Sequence, residues 1–346
     1  MKKSSNSAQV QLTQGLACSD FEASRAVSSV VSSRFVREGA GFAVARPFPL
    51  AGLEQLDPFL LLDHMLPEKL LPGQAKGAPD HPHRGFETVT YLLAGEMEHR
   101  DSAGNSGFLR PGDVQWMTAG SGVIHSEMPS QALLRDGGVL HGFQLWVNLP
   151  ASKKMMAPRY QDLKSESIKE IESEDGLKRV RLIAGKFENH QSACVTEIPI
   201  VYLHVRLLKN GVFEYQPEPQ QTVLAYFFGG QTVLRVSQEN LESALSGPAG
   251  ASVELKASSV LVSAAEPVVQ VQAEELAVFE QSDLPVRIVN ESDATLEFIF
   301  LVGKPIGEPV ARYGPFVMNT RKEIEQAVLD FQSGNFVSAS SGGALG

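Results

Sequence analysis

Cysteine is scarce: Cys18 and Cys194 are the only two in 346 residues. Cys18 lies in a polar stretch, so no structural disulfide is expected, and the usage fits a reducing compartment. Positive charge is also short, with 30 Lys and Arg against 40 Asp and Glu, a net charge of −10. That argues against direct nucleic-acid binding, which needs a basic patch, and leaves a protein partner open. No run approaches the roughly 18 apolar residues of a membrane span. The opening MKKSSNSAQVQLTQGLACSDF has two lysines but no apolar core, so neither a signal peptide nor a lipoprotein site is expected, although LACS faintly resembles one. The expectation is a soluble, cytoplasmic protein. What is present is a 43% hydrophobic, 20% charged chain, long enough for two domains and a real core.

Residues 1–24 are rich in Ser and Gln and read as a disordered leader. From residue 25 to 150, short β-type runs alternate with glycine turns: ETVTYLLAG, a hairpin in EHRDSAGNSGFL turning at Ala103 to Ser106, then LRPGDVQWMTAGSGVIHSEM and HGFQLWVNLP. Residues 151–178 are charged and weakly periodic, an exposed connection with a helical turn or two. Residues 179–310 return to strands such as VYLHVRLL, TVLAYFFGG and LEFIFLVG. Residues 311–337 end in a helix, with Ile324, Ala327, Val328 and Phe331 at helical spacing and Thr320 and Glu323 as a capping box. Residues 338–346 read as a flexible tail. Frequent short strands and turns predict an all-β chain of two barrels or sandwiches.

One stretch points to chemistry. DHPHRGFETVTY holds His81 and His83 two apart, so on a strand both side chains project to one face. An isolated H-x-H is weak evidence for a metal. A second pair, His125 and Glu127 in GVIHSEMP, has the same spacing and strengthens it. By parity Glu87 also faces the side of His83, so the carboxylate ligand is Glu87 or Glu127 on these grounds. Three imidazoles and one carboxylate suit Fe(II), Mn, Ni or Cu better than thiolate-bound Zn. Of the other histidines, His99 and His190 lie in polar surroundings and read as solvated. His64, His141 and His204 lie in apolar runs and read as hydrogen-bonded packing residues.

HPHRGFETVTYLLAGEMEHRDSAGNSG, PGDVQWMTAGSGVIHSEMP and HGFQLWVNLP together resemble the pirin family, and EPVARYGPFVMNTRKEIEQAVLDFQSGNF resembles its C-terminal segment. H-x-H with its downstream glutamate resembles the first cupin motif, and Gly120, Gly122 and His125 resemble the second with altered spacing. The resemblance spans roughly residues 30 to 337 and implies a bicupin: two tandem jelly-roll-like β-barrels with a C-terminal helix. The metal would sit in the N-terminal barrel alone. The C-terminal barrel, where His204 stands without an H-x-H or H-x-E partner, would be metal-free. The implied ligands are His81, His83, His125 and Glu127, which demotes Glu87 to a supporting or structural role.

The resemblance also implies an activity. Pirins resemble quercetin 2,3-dioxygenases, in which one divalent ion, Fe(II) above Mn, Ni, Cu or Zn, brings a flavonol and O2 together. Ring C opens and carbon monoxide leaves. Glu127 is then the candidate general base for the flavonol 3-hydroxyl. Phe86, Met117, Gln144 and Trp146 are candidate pocket residues, against a reading of each as barrel core. The alternative is a metal-sensing regulator that binds a transcription factor or a metabolic enzyme, with dioxygenase turnover as a side activity.

Overall fold

The structure, a computed structural model, describes residues 24–237, 240, 260–262 and 267–337. Nearly all of the expected leader, with Cys18, and the tail from 338 lie outside the described residues. The β-branched and aromatic runs form strands. Among the described residues these build two seven-stranded antiparallel sheets and several smaller ones.

The first large sheet is ordered Arg159–Leu163, Val114–Thr118, Phe86–Ala94, Gly138–Asn148, Phe59–Leu70, Phe42–Phe48, Arg34–Glu38. A four-stranded sheet, ordered Ala78–His83, Val123–Pro129, Met97–Asp101, Ser106–Leu109, completes the first barrel. Residues of both sheets line one cavity. The second large sheet is ordered Val27–Ser32, Glu275–Phe279, Thr222–Gly229, Leu296–Gly303, Ile200–Leu207, Lys178–Ala184, Lys169–Glu172. Its barrel is filled by Val180, Leu203, Val205, Phe213, Phe298 and other apolar side chains.

The two large sheets pack against each other. Along Ile200–Leu207, Ile200 and Tyr202 enter the layer between the sheets, while Val201, Leu203, Val205 and Leu207 enter the second barrel. Every side chain of the strand but Arg206 is buried, which is why it reads as a nearly continuous apolar run instead of an alternation.

Sheet membership does not follow the order of the chain. Val27–Ser32, at the start of the expected first unit, pairs with Glu275–Phe279 of the second sheet. The segment 151–178 contains the expected short turns, Ala151–Lys153 and Ser165–Ser167, but also two strands. Arg159–Leu163 edges the first sheet and Lys169–Glu172 edges the second. Charged residues are at home on edge strands, so composition hid both.

The end of the chain returns to the first barrel. The hairpin Ala311–Tyr313 with Phe316–Met318 leads into the helix Arg321–Gln332, whose Thr320 and Glu323 form the expected capping box. Ile324 and Ala327 are buried with Phe316, Met318 and Phe336. Val317 N–H donates to the Arg84 carbonyl, directly after His83. Gly85 has φ +88°, and a Cβ there would stand 2.0 Å from the Val317 carbonyl oxygen, so only glycine admits this close crossing.

Three histidines sit in the layer between the large sheets, hydrogen-bonded as expected. His64 meets Tyr226 and His141 at 3.1 and 2.9 Å, and His204 meets the Tyr91 hydroxyl at 2.9 Å. Burial pushes both His64 and His204 down to about 3 from the ordinary 6.5. The fold therefore holds them neutral. Below pH 6.5 the unfolded chain takes up protons that the fold refuses, so their contribution is full above that pH and is lost as pH falls toward 3. The expected slope is about 1.4 kcal/mol per pH unit for each histidine. Urea unfolding of the wild type and of His204→Gln at pH 6, 5 and 4 checks this: the variant should show the shallower decline, and equal slopes would contradict the assignment.

Candidate metal centre

His81 and His83 end the strand Ala78–His83, and His125 lies in the neighbouring strand Val123–Pro129. The antiparallel register sets His125 opposite His81 and Val123 opposite His83. The three rings converge, with centroids 4.4 to 4.9 Å apart, and one nitrogen from each lies within 4.8 Å of the others. Among the described residues this is the cluster of three or more potential ligand side chains.

Its protonation suits a metal. The His81 Nδ1–H donates to the Pro79 carbonyl at 2.8 Å, which leaves Nε2 with the lone pair. His83 and His125 are 3% and 1% exposed, and each keeps a buried ring nitrogen, Nδ1 and Nε2 respectively, without a hydrogen-bond partner. Burial first, then repulsion from the neighbouring imidazoles, holds both well below the ordinary histidine range. Buried polar atoms are rarely left unpaired, and neutral imidazole is what a cation binds. The residues fit a first-row divalent ion.

Glu127 lines the same cavity as His81 and His83 but is not in the three-histidine cluster. Its Oε1 lies 2.8 Å from Thr90 Oγ1, which is also 2.7 Å from Gln144 Oε1. A hydroxyl has one proton. It goes to the carboxylate, and the arrangement is satisfied when Gln144 turns its amide N–H toward the hydroxyl.

Glu87 does not face His83, contrary to the parity expectation. The chain changes sheets at Arg84 and Gly85, so parity does not carry across. Glu87 is fully buried, accepts a hydrogen bond from Thr118 Oγ1 at 2.6 Å, and burial pushes it up to about 7. Val89 and Tyr91 on the same strand face belong to the layer between the large sheets. Glu87 is not among the residues that line the histidine cavity.

His99, expected in solvent, is 2% exposed. It stands opposite Glu127 in the neighbouring strand, with its Nδ1 3.4 Å from His125 Nδ1. It can accept the proton that His125 carries there, which frees His125 Nε2 for a cation. The clue was the alternation Met97, His99, Asp101 on one strand, masked by charged neighbours. Of the candidate pocket residues, Gln144 and Trp146 line the cavity, whereas Phe86 and Met117 are core.

The cavity measures about 600 Å³, within the usual span of small-molecule sites, roughly 300–1,000 Å³. Met65, Leu61, Met97 and Trp146 give it an apolar side. Residues 312, 314 and 315, from the far end of the chain, close one wall.

Fold and site thus define a bicupin with one histidine-rich cavity. The chain belongs to the pirin family: the profile of Pirin matches residues 41–147, and that of the Pirin C-terminal cupin domain matches residues 202–337. It is 39% identical to pirin of Homo sapiens over 90% of this chain and 93% of that one. It is similar to the crystal structure of a quercetin 2,3-dioxygenase from Acinetobacter baumannii, with a TM-score of 0.76 and 32% identity over 91% of this chain and 99% of that one. A bacterial pirin from Escherichia coli in complex with nickel(II) shares the fold at a TM-score of 0.52 and 17% identity, covering 80% and 98% of the two chains. No helix among the described residues is long and apolar enough to cross a membrane.

Proposed function

We propose that this protein is a mononuclear, metal-dependent dioxygenase that opens a flavonol-like ring with O2 and releases carbon monoxide, with Fe(II) as the working ion. The observation that carries this reading is the convergence of three imidazoles, His81, His83 and His125, beside a cavity of about 600 Å³ that His81 and His83 line and that also presents Glu127. The likeness to the quercetin 2,3-dioxygenase of Acinetobacter baumannii supports it.

His81, His83 and His125 would hold the ion, with Glu127 as the fourth ligand. A divalent iron there supplies Lewis acidity and reactivity toward O2. The protein does the rest. Glu127, released from Thr90, accepts the proton of the flavonol 3-hydroxyl. Thr90 and Gln144 hold the carboxylate on the correct side of the cavity until then. Trp146, Leu61 and Met97 cover the rings and exclude water. His99 keeps the His125 proton on Nδ1.

Glu127→Gln tests the general base. With Fe(II) in excess, oxygen uptake with quercetin should fall about 10²–10⁴-fold, the usual worth of positioned acid–base catalysis, while the three histidines retain iron. Iron content is measured in the same samples. Unchanged turnover would remove Glu127 from the chemistry. Turnover absent in the wild type with iron bound would favour the metal-sensing alternative.

A further inference from the structure

Arg46 and Arg312 both line the metal cavity, and they differ in what they have left to offer. Arg46 is spent. Its Nε and Nη2 grip Asp63 at 2.6 Å each, and Nη2 also reaches Glu38 at 2.5 Å. Arg312 has no carboxylate within ion-pair distance among the described residues. Its guanidinium lies 4.7 Å from the centre of the Trp146 ring, and Nη1 donates to the Leu60 carbonyl at 3.3 Å. Guanidinium carries five N–H donors, so most of the fork is uncommitted. The Trp146 ring in turn lies 5.3 Å from the His83 ring. Arg312 therefore stands one indole away from the histidine cluster.

The fork is also held in place. Arg312 belongs to the hairpin that Arg84 and Lys154 tie to the first barrel. Arg84 N–H donates to the Pro315 carbonyl at 3.2 Å, Val317 N–H donates to the Arg84 carbonyl at 3.0 Å, and Lys154 Nζ donates to the Gly85 and Val317 carbonyls at 2.8 and 3.1 Å. A planar cation stacked on an aromatic ring loses little freedom when it takes a ligand. Two arginines stand among four carboxylates, Glu38, Asp63, Asp80 and Glu127, in the cavity lining, so what Arg312 adds is directed donors rather than a net positive field.

We infer that Arg312 is the specificity-determining residue of this cavity: it binds an oxyanion, carboxylate or phenolate, on the end of an aromatic substrate that lies away from the metal. The inference rests on the dioxygenase reading for the metal-proximal end, and it adds the substrate class: aromatics with an ionised oxygen at the distal ring. A charge-assisted pair of hydrogen bonds is worth about tenfold or more in affinity.

Zinc-loaded protein held under anaerobic conditions, where ring opening lacks its O2, gives the test by equilibrium fluorescence titration. The probes are 3-hydroxyflavone and its 4′-carboxylate. The wild type should bind the carboxylate at least about tenfold more tightly. Arg312→Gln should abolish that preference while leaving 3-hydroxyflavone within about twofold, and Arg312→Lys should restore part of it, since it keeps the charge without the fork. Equal weakening of both ligands in Arg312→Gln, or no preference in the wild type, overturns the inference. If neither flavonol binds, the flavonol reading fails on its own. Arg312 is then judged with 2-naphthoate and 2-naphthamide: selective weakening of the naphthoate in Arg312→Gln supports the inference, and equal affinities overturn it.

Discussion

Replacing His83 by alanine should strip the protein of its metal. His83 is 3% exposed and edge-on to Phe86 and Trp146, with ring centroids 5.2 and 5.3 Å away. It reaches the cluster from a strand end that is fixed on both sides. Arg84 N–H donates to the Pro315 carbonyl just after it, and the strand pairs with Val123–Pro129. No other histidine can move into its place, because His99 lies behind His125 and is packed against Tyr160. Losing residues that merely orient a ligand costs about 10–100-fold in metal affinity, so losing a ligand should cost more than about 100-fold. Metal content after equilibrium dialysis at fixed free Zn(II) measures this, beside His204→Gln as a buried-histidine control. Full occupancy in His83→Ala would show that the cluster is not the metal site.

Lys154→Met should cost about 2–4 kcal/mol of stability without touching a ligand. Lys154 is 1% exposed, and its Nζ donates to Gly85 O, Asn148 Oδ1 and Val317 O at 2.8, 2.7 and 3.1 Å. Burial opposes its charge and pushes its pKa down to about 8. Methionine removes that penalty, yet it also leaves three buried acceptors unpaired, and an unpaired buried acceptor costs about 1–3 kcal/mol. The lost bonds therefore outweigh the relieved charge. The damage should concentrate where the hairpin crosses the first barrel. Faster amide exchange at Val317, with exchange in the second barrel's Ile200–Leu207 unchanged, would locate it there. A variant as stable as the wild type would mean that the tail is held without help from Lys154.

These two residues mark what could and could not be read from the chain. The H-x-H spacing was legible because His81 and His83 lie within one strand, where period two holds; His125 and Glu127 also share a strand, but its register against Ala78–His83 shifts between them, and only His125 joins the cluster. Glu87 was misread for the complementary reason: Gly85 lets the chain leave one sheet for another, and parity across such a turn means nothing. Strands buried on both faces, such as Ile200–Leu207, announced themselves by composition. The edge strands Arg159–Leu163 and Lys169–Glu172 did not, since charge is tolerated there. Lys154 and Arg312 carry no local signal at all. Each matters only through groups brought near by the fold, Lys154 through Gly85 and Val317, Arg312 through Trp146.

The most direct measurement of the central claim is oxygen uptake with quercetin by wild-type protein, stripped of metal and then reloaded anaerobically with Fe(II). The account predicts no uptake by the stripped protein, and uptake by the reloaded protein with carbon monoxide appearing in step with the oxygen lost. Stoichiometric iron on the protein with neither oxygen consumed nor carbon monoxide formed would contradict it.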